Sequence, residues 1–359
     1  MNIIALNKEL NIDDLNQTTE IELTFDNICN LSCSYCDSSK SSSWALNINL
    51  NGAFNLQTSN LYNEVFEFDG RLIQKNLIKF ISWWHNNSNQ VTVLKINGGE
   101  PILSQYFWKF IHNISKSPNP ELNLIIVSNL VYDPGQLDKL YDVSDKFKSI
   151  QIIASIDVNN GICDFLRAGG GYLRQKNNIM RSLGAPINCF LTLQNVISVF
   201  SVWYYSSFIE YNIELRKHSS TSRFDSLEAL LNPSEWSRFA TIPGNLRPFS
   251  SIILTSPSFQ SILMLPTHLR EYLYEDIFTT YSSLKSELHK PDKNTIIRCL
   301  NYIQSAKFPD NLESNRLSME RDLKKFIIEY EKIVRNDDKE FTSISSIFPK
   351  VFVDWLDTI

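Results

Sequence analysis

The amino-acid sequence predicts an α/β fold built on a parallel β-sheet, with the chemistry concentrated at one edge of that sheet. Six apolar runs alternate with segments of helical periodicity, and polar or glycine-rich motifs follow directly after the runs. Runs that are apolar along most of their length are typical of parallel sheets covered on both faces. The pattern fits either an open doubly wound sheet or an incomplete barrel, and both carry their chemistry at the carboxyl ends of the strands.

The predicted strands are short and are bounded by polar or glycine residues, and helical stretches separate most of them. In chain order they are residues 21–25, 91–96, 122–128, 149–155, 187–193 and 212–218.

The predicted helices show apolar residues at spacings of three and four. They comprise residues 71–87 and 104–115, a segment after Pro134, and residues 163–183 around a glycine-rich interruption at 169–171.

Composition describes an acidic chain that can bury a large core. The chain has 359 residues, 43% of them hydrophobic, and a net charge of −5, so no global basic field attracts nucleic acid. No segment approaches the ~18 apolar residues of a membrane span, and the first residues lack the pattern of a signal peptide. A cytoplasmic protein is therefore predicted, and in that compartment clustered cysteines are more often metal ligands or redox groups than disulfides.

Three of the six cysteines lie in the segment Cys29-Asn-Leu-Ser-Cys33-Ser-Tyr-Cys36, just after the first predicted strand. Iron–sulfur clusters are held by thiolates, and three thiolates on one loop can bind three irons of a cubane and leave the fourth iron open. A structural zinc site usually needs two short-spaced pairs of ligands, and the sequence has no second CxxC and no HxxxH. The polar residues between the cysteines argue against a purely apolar core role. The loop is therefore predicted to hold an iron–sulfur cluster.

With Tyr35 before its last cysteine, this motif resembles the CxxxCxΦC signature of radical S-adenosylmethionine (SAM) enzymes, where Φ is aromatic. The resemblance covers roughly residues 20–220 and implies a partial (β/α)6 barrel, which favours the barrel over the open sheet. It implies a [4Fe–4S] cluster on Cys29, Cys33 and Cys36, with SAM on the open iron. It also implies reductive cleavage of SAM to a 5′-deoxyadenosyl radical that abstracts hydrogen, with an electron donor such as flavodoxin or ferredoxin.

The segment Gly98-Gly99-Glu100-Pro101, after the second predicted strand, matches the GGEP motif of the same family. The glycines would let the backbone approach the ammonium of SAM, and Glu100 would offer charge. A plain strand-to-helix turn would explain the glycines but not the Glu-Pro pair that follows them.

The resemblance also assigns polar residues after the later strands to SAM. Serine, asparagine and aspartate would serve its ribose and carboxylate, an arginine its methionine carboxylate, and a glutamine its ribose or the substrate. The same residues could instead cap helices, be solvated or form a turn. The candidates are Ser128, Asn129, Ser155, Asp157, Arg167 and Gln194.

The domain organisation is predicted as a barrel core over residues 1–220, with an insertion or long loop at about 37–70, and a mainly helical extension over 221–359. The extension is expected to cover the barrel mouth as a lid, and it resembles that of phage and marine-bacterial radical SAM proteins with a twitch-type domain. Three single cysteines are predicted to be buried thiols rather than ligands of a second cluster. They are Cys163, Cys189 and Cys299.

The substrate is left open among three alternatives. The first is a peptide or protein side chain, and the second is a small molecule, a nucleoside or a modified DNA base. The third is a non-catalytic iron–sulfur protein with a regulatory or scaffold role, against which the intact GGEP motif and Tyr35 argue. The acidic composition disfavours a nucleic-acid polymer. Arg216 and His218, at the end of the last predicted strand, are the residues best placed to meet the substrate, although a structural role fits them equally.

Overall fold

The computed structural model describes residues 1–11, 15, 18–220, 245–337, 341 and 343–359. Seven strands form one parallel sheet that curls into a half-barrel, in the spatial order β1-β2-β4-β5-β6-β8-β9, and β3 pairs with β7 in a separate antiparallel ladder. The strands are β1 (Asn2–Ala5), β2 (Glu20–Thr24), β3 (Ser32–Cys33), β4 (Val93–Asn97), β5 (Asn119–Ser128), β6 (Phe147–Ser155), β7 (Arg167–Ala168), β8 (Cys189–Ile197) and β9 (Ser250–Ile253).

Helices connect most of the parallel strands, and a helical extension follows the last one. The predicted fold, a partial barrel with a mostly helical C-terminal extension, is confirmed. The helices are α1 (Ser42–Asn51), α2 (Gly70–Asn87), α3 (Gln105–Ile114), α4 (Pro134–Tyr141), α5 (Ile162–Leu166), α6 (Tyr172–Leu183), α7 (Tyr205–Ser220), α8 (Thr267–Leu284), α9 (Lys290–Ser305), α10 (Asp310–Glu313), α11 (Arg316–Asp337) and α12 (Lys350–Thr358).

Five of the six predicted strands occur as β2, β4, β5, β6 and β8, but the strand predicted over residues 212–218 is wrong, because this segment lies in α7. The buried residues Tyr205, Phe208, Ile209 and Asn212 follow a helical stripe that begins before the segment. In residues 212–218 taken alone, the apolar residues Ile213 and Leu215 alternate with polar ones, as they would in a strand. The sheet is instead extended by β1 at one edge and by β9 at the other, and β9 comes from the region assigned to the extension.

The outer and inner faces of the half-barrel differ. In β2 and β4 the side chains of Ile21, Leu23, Leu94 and Ile96 are fully buried, whereas the residues between them are only half-buried. The expectation of strands that are apolar on both faces is therefore wrong for β2 and β4. Their inner face is polar and accessible, which leaves room for a site inside the half-barrel.

The segment predicted as a loop at about 37–70 contains α1, and it packs into the core. Ser41 caps this helix by accepting a hydrogen bond from the backbone N–H of Trp44 at 3.3 Å. Trp44 is fully buried, and its ring packs against Phe54 and Tyr62. Within the described part of the chain, no helix is both long enough and apolar enough to cross a membrane.

Candidate functional site

The cysteine loop is fixed by side chains that donate hydrogen bonds to its backbone carbonyls. These carbonyls therefore do not depend on water for a hydrogen bond. The donors come from three regions that are far apart in sequence: α1 and the segment after it, the loop before α8, and α11. Trp44 Nε1 donates to Cys33 O at 2.9 Å, Tyr62 Oη and Gln260 Nε2 donate to Ser34 O at 2.8 and 2.7 Å, and Tyr330 Oη donates to Ser32 O at 2.7 Å.

The three thiols of this loop face one cavity of about 350 Å³ at the carboxyl ends of the strands. Cys33 is buried, and Cys29 and Cys36 are half-buried. Burial raises the pKa of Cys29 to about 12. A hydrogen bond from Cys36, helped by the charge of Arg167, lowers the pKa of Cys33 although burial opposes it. Cys33 is therefore the thiol of the three that ionises most readily.

The donor set consists of three cysteine thiols, the ligand type that holds iron–sulfur clusters. Among the described residues, no three His, Cys, Asp or Glu side chains converge on one point as the site of one metal ion requires. A cubane makes a different demand, because each thiolate binds its own iron. Three thiols on one rigid loop, all facing a common cavity, meet that demand.

Gly98 and Gly99 bring the end of β4 against the residues that lead into the cysteine loop. The N–H of Gly99 donates to Asp26 O at 3.3 Å, and the N–H of Glu100 donates to Ile28 O at 2.6 Å. A Cβ at position 99 would lie 2.3 Å from Ile28 O, and Gly98 has a φ of +134°. Both glycines line the cavity. The close approach of two backbones thus requires glycine here, whatever the ligand.

Replacing Gly99 by alanine is expected to destabilise the fold by about 1–3 kcal/mol, because the added methyl group must displace backbone atoms. Gly161 is the matched control, since nothing lies within 4 Å of its Cβ position and its φ of −57° suits any residue. Gly161→Ala should leave the unfolding free energy unchanged or raise it slightly. Urea denaturation of the two variants measures the difference, and equal stabilities would contradict the close packing at Gly99.

The side chain of Glu100 is buried beside the cavity and does not line it, and its contact with SAM stays a prediction. Its side chain is 1% exposed, and its carboxylate accepts hydrogen bonds from the backbone N–H of Asn129 at 2.5 Å, from Ser128 Oγ at 3.0 Å and from the N–H of Ile102 at 3.2 Å. Glu100 therefore ties the end of β5 to the turn after β4. It positions Ser128 and Asn129, which do line the cavity.

The free energy of unfolding should depend on pH through the protonation of Glu100. Burial raises its pKa to about 7 from 4.5, against the hydrogen bonds from Asn129, Ser128 and Ile102. The folded chain then keeps a proton that the unfolded chain has lost. The free energy of unfolding should fall by about 3 kcal/mol as the pH rises from about 4.5 to about 7, and then level off.

Glu100→Gln should remove most of this slope, whereas the exposed residue Glu121 offers a control whose Gln variant should keep it. Urea denaturation at several pH values measures both. An unchanged slope in Glu100→Gln would show that another group causes it.

Arg167, Asp157 and Tyr35 form one buried hydrogen-bonded network. Arg167 Nε lies 2.9 Å from Asp157 Oδ2, Arg167 Nη2 donates to Tyr35 Oη at 2.5 Å, and Tyr35 Oη donates to Asp157 Oδ2 at 2.7 Å. Asp157 Oδ1 accepts a further bond from the N–H of Val196 at 2.9 Å. The β3–β7 ladder places Arg167 opposite Cys33, and Arg167 Nη1 lies 3.6 Å from Cys33 Sγ. The network thus connects the cysteine loop to the ends of β6 and β8.

Most of the residues predicted to bind SAM come together around the cavity, and two lie behind them. Asn129 Nδ2 donates to Cys29 Sγ at 3.8 Å, and Gln194 Nε2 donates to Ser250 Oγ at 2.9 Å. Glu100 and Asp157 are buried outside the lining. The predicted residues that line the cavity are Cys29, Cys33, Tyr35, Cys36, Gly98, Gly99, Ser128, Asn129, Ser155, Arg167 and Gln194.

The single cysteines, the C-terminal region and Arg216 also have defined positions in the structure. Cys163, Cys189 and Cys299 are each at most 3% exposed. Ile252 of β9, in the region assigned to the extension, lines the cavity, and α11 contacts the cysteine loop through Tyr330, while a lid over the barrel mouth stays a prediction. Arg216 lies 3.0 Å from Asp292 in a buried ion pair, and the His218 side chain lies outside the described residues.

Sequence reasoning missed the polar and charged residues on the inner face of the half-barrel. Lys95 and Asn97 on β4 line the cavity, as does Lys40 after the cysteine loop. Glu22 on β2 contacts both β4 residues. The available signal was a single lysine within the apolar run VTVLKI and a single glutamate within IELTF.

No family model matches the chain, and a search of curated proteins finds no match. Among solved structures, the chain is similar to native anSMEcpe with bound AdoMet, at 12% identity over 75% of this chain and 63% of that one, with a TM-score of 0.46. It is also similar to Streptococcus suis SuiB bound to S-adenosylmethionine, at 12% identity over 76% and 48% of the two chains, with a TM-score of 0.38. For TYW1 with a lysine-pyruvate adduct bound, the identity is 14% over 80% and 74%, with a TM-score of 0.32. The chain therefore spans about half to two thirds of the length of the first two structures.

Proposed function

We propose that this chain is a radical SAM enzyme that binds a [4Fe–4S] cluster through Cys29, Cys33 and Cys36 and binds SAM in the adjoining cavity. One observation carries the proposal: the three thiols share a single cavity with glycine, hydroxyl and amide groups from β4, β5, β6 and β8 and with the guanidinium group of Arg167 on β7. These are the groups that the amino, carboxylate and ribose parts of SAM require. When bound, the reduced cluster would supply the electron that cleaves SAM to methionine and a 5′-deoxyadenosyl radical.

The chain's own residues would hold and orient these groups. Asn129 Nδ2 and Arg167 Nη1 each point a donor at a cysteine sulfur, at 3.8 and 3.6 Å, and such donors stabilise thiolate charge. Ser155 and Gln194 present a hydroxyl and an amide to the cavity from neighbouring strands. Glu100 and Asp157 act as positioning residues, since each is buried and holds a residue that faces the cavity.

The proposed substrate is a side chain of a peptide or protein, and the alternative is a small molecule, a nucleoside or a modified base. The support is the open side of the half-barrel. The edge strands β1 and β9 do not pair with each other in the described part of the chain. A side chain of a larger molecule can therefore reach the inner face while the rest of that molecule stays outside.

The test is to reconstitute the protein with iron and sulfide under anaerobic conditions, reduce it with dithionite and add SAM. Chromatography should detect 5′-deoxyadenosine and methionine in equal amounts, and neither product should form when dithionite is left out. A protein that carries a full cluster and is reduced, yet forms no 5′-deoxyadenosine, would overturn the proposed function.

A further inference from the structure

We propose that the inner face of the half-barrel contains an anion site at Lys95, which binds a carboxylate or phosphate group of the substrate. This inference rests on the proposed function, because only an enzyme has a substrate. The site itself rests on the geometry of β2 and β4. It names a chemical class that the substrate must carry, namely a negatively charged group.

Glu22 and Lys95 are directly paired neighbours in the β2–β4 ladder. Lys95 Nζ donates to Glu22 Oε2 at 2.9 Å, and Asn97 Nδ2 donates to Glu22 Oε1 at 3.2 Å. Lys95 and Asn97 line the cavity, whereas Glu22 does not. The carboxylate thus holds both donors from the neighbouring position on the same face of the sheet. An ammonium group has three N–H donors, so Lys95 keeps donors for a ligand in the cavity.

The charge of the cavity wall favours an anion. Among the described residues that line it, Lys40, Lys95 and Arg167 are cationic and none is an aspartate or glutamate. Asp157 forms an ion pair with Arg167, as Glu22 does with Lys95. Burial opposes the ionisation of Glu22, but hydrogen bonds from Lys95 and Asn97 and the charges of Lys95 and Lys40 lower its pKa. Apart from the three cysteines, the charged side chains that line the cavity are therefore all cationic, and the carboxylates of Glu22 and Asp157 each lie beside one of them.

The depth of Lys95 separates this site from the cysteine loop. Lys95 precedes Asn97, the last residue of β4, by two residues, and a strand rises about 3.3 Å per residue, so the lysine lies roughly 7 Å below the strand end. Ile153 and Ile252 form apolar parts of the cavity wall. A molecule that meets SAM at the strand ends can thus place an anionic group on Lys95 and apolar atoms against these isoleucines.

The experiment titrates the full chain with inorganic phosphate and with acetate, followed by calorimetry or by NMR shifts of the lysine side chains. Lys95→Met should weaken binding about tenfold or more, because one charge-assisted hydrogen bond is lost, and Lys95→Arg should retain it. The matched control is Lys148→Met, since Lys148 forms the same kind of pair with Glu121 across β5 and β6, at 3.0 Å on the surface. This control should bind both probes as the unaltered chain does.

Glu22→Gln keeps the test decisive even if Lys95→Met does not fold. Removing the competing carboxylate should strengthen binding of the probes about threefold or more, whereas a purely structural ion pair would give no gain. Tighter binding of phosphate or of acetate identifies which group the substrate carries.

Three results would overturn the inference: no binding of either probe, equal binding by folded Lys95→Met, or loss of the probe when SAM saturates the protein. The last result would assign the site to the carboxylate of SAM itself. The titration needs no turnover, so its outcome is separate from that of the proposed function. Probe binding without SAM cleavage would leave this site standing, and SAM cleavage without probe binding would remove the site alone.

Discussion

Replacing Cys33 by alanine is expected to abolish both the iron–sulfur cluster and the formation of 5′-deoxyadenosine. Cys33 is the buried member of the three thiols, and its ionisation is favoured by Cys36 and Arg167. Its loss would leave one more iron of the cubane without a protein ligand and so would destabilise the whole cluster. Iron content, the absorbance of the reconstituted protein and the yield of 5′-deoxyadenosine should all fall to background.

Cys163→Ala is the matched control for this substitution. Cys163 is equally buried, but its thiol lies 3.6 Å from Gln175 Oε1 and does not line the cavity. This variant should retain the cluster and the cleavage of SAM. Full 5′-deoxyadenosine production by Cys33→Ala would contradict the ligand assignment. Cluster absorbance in a protein with Cys29, Cys33 and Cys36 all replaced by alanine would contradict the prediction of a single cluster.

Asp157→Ala is expected to lower the free energy of unfolding by about 3–5 kcal/mol, because it leaves the charge of Arg167 buried without its partner. Asp157 is fully buried, and it also binds Tyr35 and the backbone of Val196. The same loss should disturb the cysteine loop, since Arg167 and Tyr35 both line the cavity.

A surface pair with similar chemistry serves as the comparison for Asp157. Arg181 and Asp138 lie 2.6 Å apart, with both side chains nearly half exposed, so Asp138→Ala should leave the urea unfolding curve almost unchanged. If both alanine variants unfold at the same urea concentration, the buried network does not stabilise the fold as described.

The sequence predicted the strands and motifs whose signals are local. Cys29, Cys33 and Cys36 follow β2 directly, and Gly98 and Gly99 follow β4, so a parallel sheet brings them to one edge. The direction of each side chain was not predictable in this way. Glu100 and Asp157 follow strands as the cavity residues do, yet both turn into the core, because a single residue's position after a strand does not fix which face it meets.

Long-range contacts were beyond sequence reasoning. Tyr330 and Gln260 bind the carbonyls of the cysteine loop from about 300 and 226 residues away along the chain. Neither belongs to a motif, and a tyrosine on an amphipathic helix is usually a core residue. The polar pair of Glu22 and Lys95 was hidden for another reason, since one charge within a short apolar run does not change its prediction as a strand.

In the proposed site, three cysteines hold a cluster with one iron open to SAM. The most direct measurement is Mössbauer spectroscopy of the protein reconstituted with ⁵⁷Fe, together with an iron count, before and after SAM is added. We expect about four irons per chain, of which one changes its spectrum when SAM binds. Spectra that SAM leaves unchanged at all irons, or a protein that retains no cluster, would contradict it.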